Sequence, residues 1–120
     1  MNNWEVEISH LLNEWEKNKI QLEALFRKRE YKNTKELMEK GITLFFHFLT
    51  MSNELPLSDN APSNYNEFAF KPVNVEERLT FIMSRPALYH SYRQLSELMV
   101  EQEKLYVKRN ILKKASKPNG

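Results

Sequence analysis

The chain has no cysteine and only two glycines in 120 residues. Without thiols there is no disulfide to demand an oxidising compartment and no thiolate zinc site, so any metal would rest on histidine and carboxylates. Gly41 and Gly120 cannot build a glycine-rich phosphate loop, and there is no Gly-x-Ser-x-Gly elbow, so nucleotide-binding and serine-hydrolase readings drop out. The same scarcity argues against a sheet-rich or low-complexity chain. Long apolar runs are missing as well. The most apolar stretch, Ile42 to Met51, contains His47 and is only about half of the roughly twenty residues that span a bilayer. Glu5, Glu7, Glu14, Glu16, Lys17 and Lys19 interrupt the start, where a secretory signal would be continuously apolar. The expectation is a cytoplasmic protein with no membrane partner. A surplus of one charge is also lacking, since the net charge of +2 is too small to imply a polyanion partner for the whole chain.

What is present reads as helix. A 41% hydrophobic and 28% charged composition is ordinary for a globular protein, and 120 residues suffice for one core and one domain, residues 1–120. Trp4, Ile8, Leu11, Leu12 and Trp15 fall on one helical face, which Leu22 and Phe26 resume after Asn18-Lys19. One long helix, or two broken near Asn18, fits this pattern. After the basic stretch Arg27-Lys28-Arg29, Asn33 and Glu36 have the spacing of a capping box and predict a helix from about Thr34 to Ser52. Its apolar residues, from Leu37 and Met38 to Leu49 and Met51, cover so wide an arc that this helix belongs at the centre of the bundle. Gly41 within that arc costs roughly 1 kcal/mol of helix propensity and so marks the close passage of another helix.

Residues 53–73 form a long connection containing Pro56, Pro62 and Pro72, with Tyr65, Phe68 and Phe70 expected to staple it to the bundle. Asn74 and Glu77 repeat the capping-box spacing ahead of a short helix that ends near Arg85, and Pro86 suits the first turn of the next. Leu88, Tyr92, Leu95, Met99, Gln102 and Tyr106 then recur in alternating four- and three-residue steps, as in coiled-coil packing. A helix from Pro86 to Ala115 would run about 45 Å, so its end is expected to project. The fold class is all-α: one bundle of four to five helices with a long C-terminal helix, a loop at about 53–73 and a basic tail at about 113–120.

Candidate chemistry gathers at the junction of the last two helices. Arg85 and His90, with four residues between them, would allow metal-free phosphodiester chemistry, with His90 as acid or base and Arg85 on the phosphate. The spacing is similar to the Arg-His motif of HEPN ribonucleases, all-α bundles that often act as dimers, and it would place a second copy of the chain opposite the first. Pro86 departs from the polar residue that often follows the Arg there. A structural role competes: Arg85 pairing with Glu77 or Glu97, and His90 and the tyrosines bonding at a helix junction. His10, His47 and His90 fall on three predicted helices, but the Glu7-His10 spacing occurs once where a di-metal bundle needs it twice, so no metal or cofactor is expected. At the C-terminal end Lys104, Lys108, Arg109, Lys113, Lys114 and Lys117 follow one another with no acid between them. Together with Arg27, Lys28 and Arg29 they offer a weak, salt-sensitive nucleic-acid contact, or the tail merely complements the helix dipole.

The run Asn74-Val75-Glu76-Glu77-Arg78-Leu79-Thr80-Phe81-Ile82, with Arg85-Pro86 and Tyr89-His90-Ser91-Tyr92-Arg93-Gln94-Leu95, resembles the signature of the YpoC-like family, small proteins of Bacillus and related Firmicutes. The resemblance covers about residues 72–104. It implies a bacterial cytosolic protein and a gene setting near replication initiation and base-excision repair, but brings no activity with it. The reading is a non-catalytic protein-interaction or scaffolding module, its partner unidentified, acting through Arg78, Arg85, Tyr89, His90, Tyr92 and Arg93. Exposed Arg and Tyr are the usual anchors of interfaces.

Overall fold

Helix α1, Trp4–Lys28, is formed by the periodic face seen in the sequence, with Ile8, Leu11, Trp15, Asn18 and Leu22 turned inward. The computed structural model of the protein describes residues 4–58 and 60–115, so Lys117 and the rest of the predicted tail from 116 onward lie outside the described residues. α1 does not break at Asn18. That residue is buried in the helical register and its Nδ2 donates to the Leu37 carbonyl at 2.9 Å, tying α1 to its neighbour.

Helix α2, Tyr31–Ser52, starts earlier than the capping-box reading placed it. The Asn33–Glu36 box does not form: Glu30 occupies the N-cap without a side-chain bond, and Thr34 faces the core with its hydroxyl donating to the Glu30 carbonyl at 2.7 Å. α2 is central, packed on α1 along one side and on the last helix along another. A Cβ on Gly41 would sit 2.9 Å from Trp15 Cζ3 and 3.0 Å from Leu95 Cδ2, so both neighbouring helices approach α2 at this residue. No L side chain fits there without movement.

The connection after α2 is tied down by a polar clamp. Asn53 donates from Nδ2 to the Phe70 carbonyl at 2.8 Å and accepts the Phe70 N–H at Oδ1 at 2.9 Å. Fully buried Gln102 donates to the same carbonyl at 3.1 Å and to Ser52 Oγ at 2.6 Å. Phe68 is buried, with Tyr65 packed against it from a 3-10 turn at Tyr65–Glu67, as the aromatic staple required.

Helix α3, Val75–Ser84, buries Val75, Leu79 and Ile82. The second predicted capping box also fails to form. Asn74 takes a left-handed backbone (φ 56, ψ 34) and makes no side-chain cap bond. Pro86 lies in a turn closed by the Leu88 N–H on the Arg85 carbonyl at 3.3 Å, so helix α4 runs Tyr89–Ala115 rather than starting at the proline. Its buried stripe is Tyr92, Leu95, Leu98, Met99 and Gln102.

Among the described residues there are four helices and no strand. α1 and α2 form an antiparallel hairpin. α4 runs parallel to α2, since Leu95 meets Gly41 and Gln102 meets Ser52. α3 lies antiparallel on α4. This topology brings the α1–α2 turn and the α3–α4 turn to the same end of a molecule 57 Å long and 26 by 21 Å across.

Candidate interaction surface

The shared end is built on an aromatic cluster. Phe26, near the end of α1, meets Tyr89 edge-on at 5.4 Å and Tyr92 at 5.5 Å, while Tyr89 and Tyr92 lie 5.8 Å apart. Tyr92 is buried and its hydroxyl donates to Glu23 Oε1 at 2.6 Å. Burial, and then that carboxylate, push the Tyr92 hydroxyl well above the ordinary phenol range. Tyr89 instead leaves 53% of its surface in solvent.

Of the residues singled out in the sequence, Arg85, Tyr89, His90 and Arg93 are exposed on and after the α3–α4 turn. Arg85 forms no ion pair among the described residues. Its backbone carbonyl is held by Ser91 Oγ at 2.6 Å, which fixes the turn. His90 rests edge-on against Phe81 at 5.5 Å and borders a small hollow of about 190 Å³ with Glu77, Arg78 and Gln94. Arg85 is not part of that hollow. The other two residues support the surface from behind it. Arg78 grips Glu101 with both guanidinium ends, at 2.9 and 2.6 Å, and also reaches Gln94 and the Val73 carbonyl, each at 3.2 Å. This bond holds the Glu101 carboxyl below the usual carboxylate range. Glu97, one of the two carboxylates expected for Arg85, instead lies 3.9 Å from the Arg78 guanidinium.

Beside this turn opens a cleft of about 500 Å³ between the two loops. Phe26, Ala87 and Leu88 supply its apolar surface, and Arg27, Arg29, Tyr31 and Tyr89 its polar edges. Sequence reasoning saw Arg27 and Arg29 as a basic stretch that could join the tail on nucleic acid, and passed over Tyr31. Nothing local marked them as a site, because basic residues at the end of a helix are ordinary and an Arg carries no turn signal.

At the other end, Arg109 and Lys113 both bridge Glu54, Lys113 at 2.6 Å, and together they hold its carboxyl below the usual range. Lys104, Lys108 and Lys114 are exposed. His10, His47 and His90 stand on three different helices, and among the described residues no three histidines or carboxylates gather as a metal site. Nor, among them, is any helix long and apolar enough to cross a membrane.

A family model described as YpoC-like protein matches residues 5–114. The uncharacterized protein YpoC of Bacillus subtilis (strain 168) is 30% identical over 96 residues, covering 78% of this chain and 58% of that protein. The chain therefore spans less than two thirds of the length of this relative. No solved structure matches.

Proposed function

We propose that this chain, which belongs to the YpoC-like family, is a non-catalytic protein-interaction module whose contact surface is the turn from α3 into α4. The observation that carries the reading is Tyr89, a large ring half in solvent yet fixed against Phe26. A side chain held in place before contact loses little entropy on binding, and Tyr and Arg are the residues most often found at the energetic centre of interfaces. Arg85, His90 and Arg93 surround it, while beneath it Arg78 ties α3 to α4 and Tyr92 ties α4 to α1. The proposed setting is the bacterial cytoplasm, beside DNA replication or repair, on the strength of the gene setting that the family resemblance implies.

The test is affinity capture from the native host with the full chain and with an Arg85→Glu/Arg93→Glu variant shown by circular dichroism to stay folded. The expected result is a defined protein retained by the parent and lost from the variant. Equal retention by both, or RNA cleavage abolished by His90→Ala, would remove the proposal.

A further inference from the structure

We infer that the cleft between the α1–α2 turn and the α3–α4 turn binds an acidic segment of the partner protein, with one apolar side chain of that segment seated on Phe26, Ala87 and Leu88. This rests on the interaction reading above and names the chemistry that the adjoining site accepts.

Cations outnumber anions in the cleft, Arg27 and Arg29 against Glu23. Arg27 and Arg29 are exposed and, among the described residues, neither forms an ion pair. The carboxylate in the wall, Glu23, already accepts the Tyr92 hydroxyl. The surplus is positive, and two guanidinium groups suit planar carboxylates that can be bonded in pairs. The floor asks for something else, an apolar group of side-chain size. Tyr31, 58% exposed, and Tyr89 flank it with rings that accept either apolar or peptide contacts. An acidic peptide with an apolar anchor meets all of these demands. A nucleic-acid strand meets fewer: it brings no aliphatic side chain for the apolar floor, and the exposed lysines at the end of α4 lie at the opposite end of the molecule.

The backbone of Arg29 adds an independent argument. The Glu30 N–H bonds the Leu25 carbonyl at 3.0 Å and the Arg29 N–H bonds the Phe26 carbonyl at 3.2 Å, which is the Schellman closure of a helix. Arg29 occupies its left-handed position with φ 59, where glycine is the unstrained choice. α2 ends in the same closure, with Glu54 at φ 56. There the strained residue has a visible use, because its carboxylate holds Arg109 and Lys113. Arg29 has the same strain with no ion-pair partner among the described residues. Its side chain is accounted for by a partner outside the chain.

The experiment is selection of random linear peptides displayed on phage against the intact chain, followed by fluorescence polarisation with the synthesised winners. Arg29→Gly is the key variant, because it preserves the turn and removes only the side chain. The expected winners carry Asp or Glu beside Leu, Phe or Trp. Their affinity should fall about tenfold in Arg29→Gly, the loss of one charge-assisted pair, and further in Arg27→Glu/Arg29→Glu, while Arg85→Glu/Arg93→Glu changes it less. No enrichment, winners without acids, affinity indifferent to Arg29, or tighter arginine-dependent binding of a fifteen-residue oligo-dT or oligo-U probe would each overturn the inference. Failure here with continued Arg85- and Arg93-dependent capture of a protein would leave the broader interaction reading standing.

Discussion

Arg29, Glu54 and Asn74 carry left-handed backbones that a chain richer in glycine would have assigned to that residue. A side chain in this region costs roughly 1 kcal/mol. Arg29→Gly is therefore expected to raise the urea midpoint, corresponding to about 1 kcal/mol of added stability, although it weakens peptide binding. An unchanged or lower midpoint would show that the Arg29 side chain stabilises the fold and would weaken the argument for an external partner. Gly41 is the reverse case. Alanine there gains roughly 1 kcal/mol of helix propensity but drives a methyl into Trp15 and Leu95, a clash in a packed core that costs about 1–3 kcal/mol. Net destabilisation of Gly41→Ala, read from its thermal midpoint, is the expected outcome; a stabilised variant would mean that the helices separate easily. The close approach at Gly41 was legible from a glycine inside an apolar arc. The left-handed backbones at Arg29 and Glu54 were not, because Arg and Glu carry no turn signal.

At the scale of elements, most helices were legible and their ends were not. The stripes of α1, α2 and α4 repeat over several turns, so their faces could be read directly. Both Asn-x-x-Glu boxes misled, because the spacing alone does not say whether the backbone at the Asn is extended. Asn74 is left-handed, and Asn33 already lies inside α2. Two ion-paired clusters join elements that the sequence could not pair: Arg78–Glu101 between α3 and α4, and Glu54 with Arg109 and Lys113 between the end of α2 and α4. Both carboxyls are lowered from the ordinary value of 4.5, Glu101 first by its bond to Arg78 and Glu54 first by its bond to Lys113. A carboxyl lowered by folding stabilises the native state above its unfolded pKa, and that contribution is lost as pH falls through the folded value. Unfolding free energy should therefore decline below about pH 4.5, and the decline should be shallower in Glu101→Gln. An identical pH profile in that variant would dismiss the Arg78 pair as a stabilising contact. The Asn53–Phe70–Gln102 clamp makes a parallel prediction for the long loop. Asn53→Ala leaves the Phe70 N–H without its acceptor, at a cost of about 1–3 kcal/mol, and limited proteolysis between Pro56 and Phe68 should accelerate. Unchanged cleavage would mean that Gln102 and Phe68 suffice to hold the loop.

Across the whole molecule, the all-α class, the long last helix and the central place of α2 follow from periodicity and from the breadth of one apolar arc. The parallel course of α2 and α4 does not, because it depends on how the 53–73 connection and α3 return the chain along the bundle. That return brings Phe26, Arg27, Arg29 and Tyr31 beside Leu88 and Tyr89. The part of the candidate surface local in sequence, Arg85 to Arg93, could thus be proposed before the structure was known, whereas the cleft beside it required the topology. The same topology separates that surface from the basic end of α4, where Glu54 already engages Arg109 and Lys113. The two ends of the molecule should therefore behave differently toward partners, and site-specific photo-crosslinking in the native host measures this directly. With benzoylphenylalanine replacing Tyr89 in one version of the full chain and Lys108 in another, the account predicts a discrete protein adduct from position 89 that disappears on adding Arg85→Glu/Arg93→Glu, and none from position 108. Adducts of equal yield from both positions, or adducts to nucleic acid alone, would contradict it.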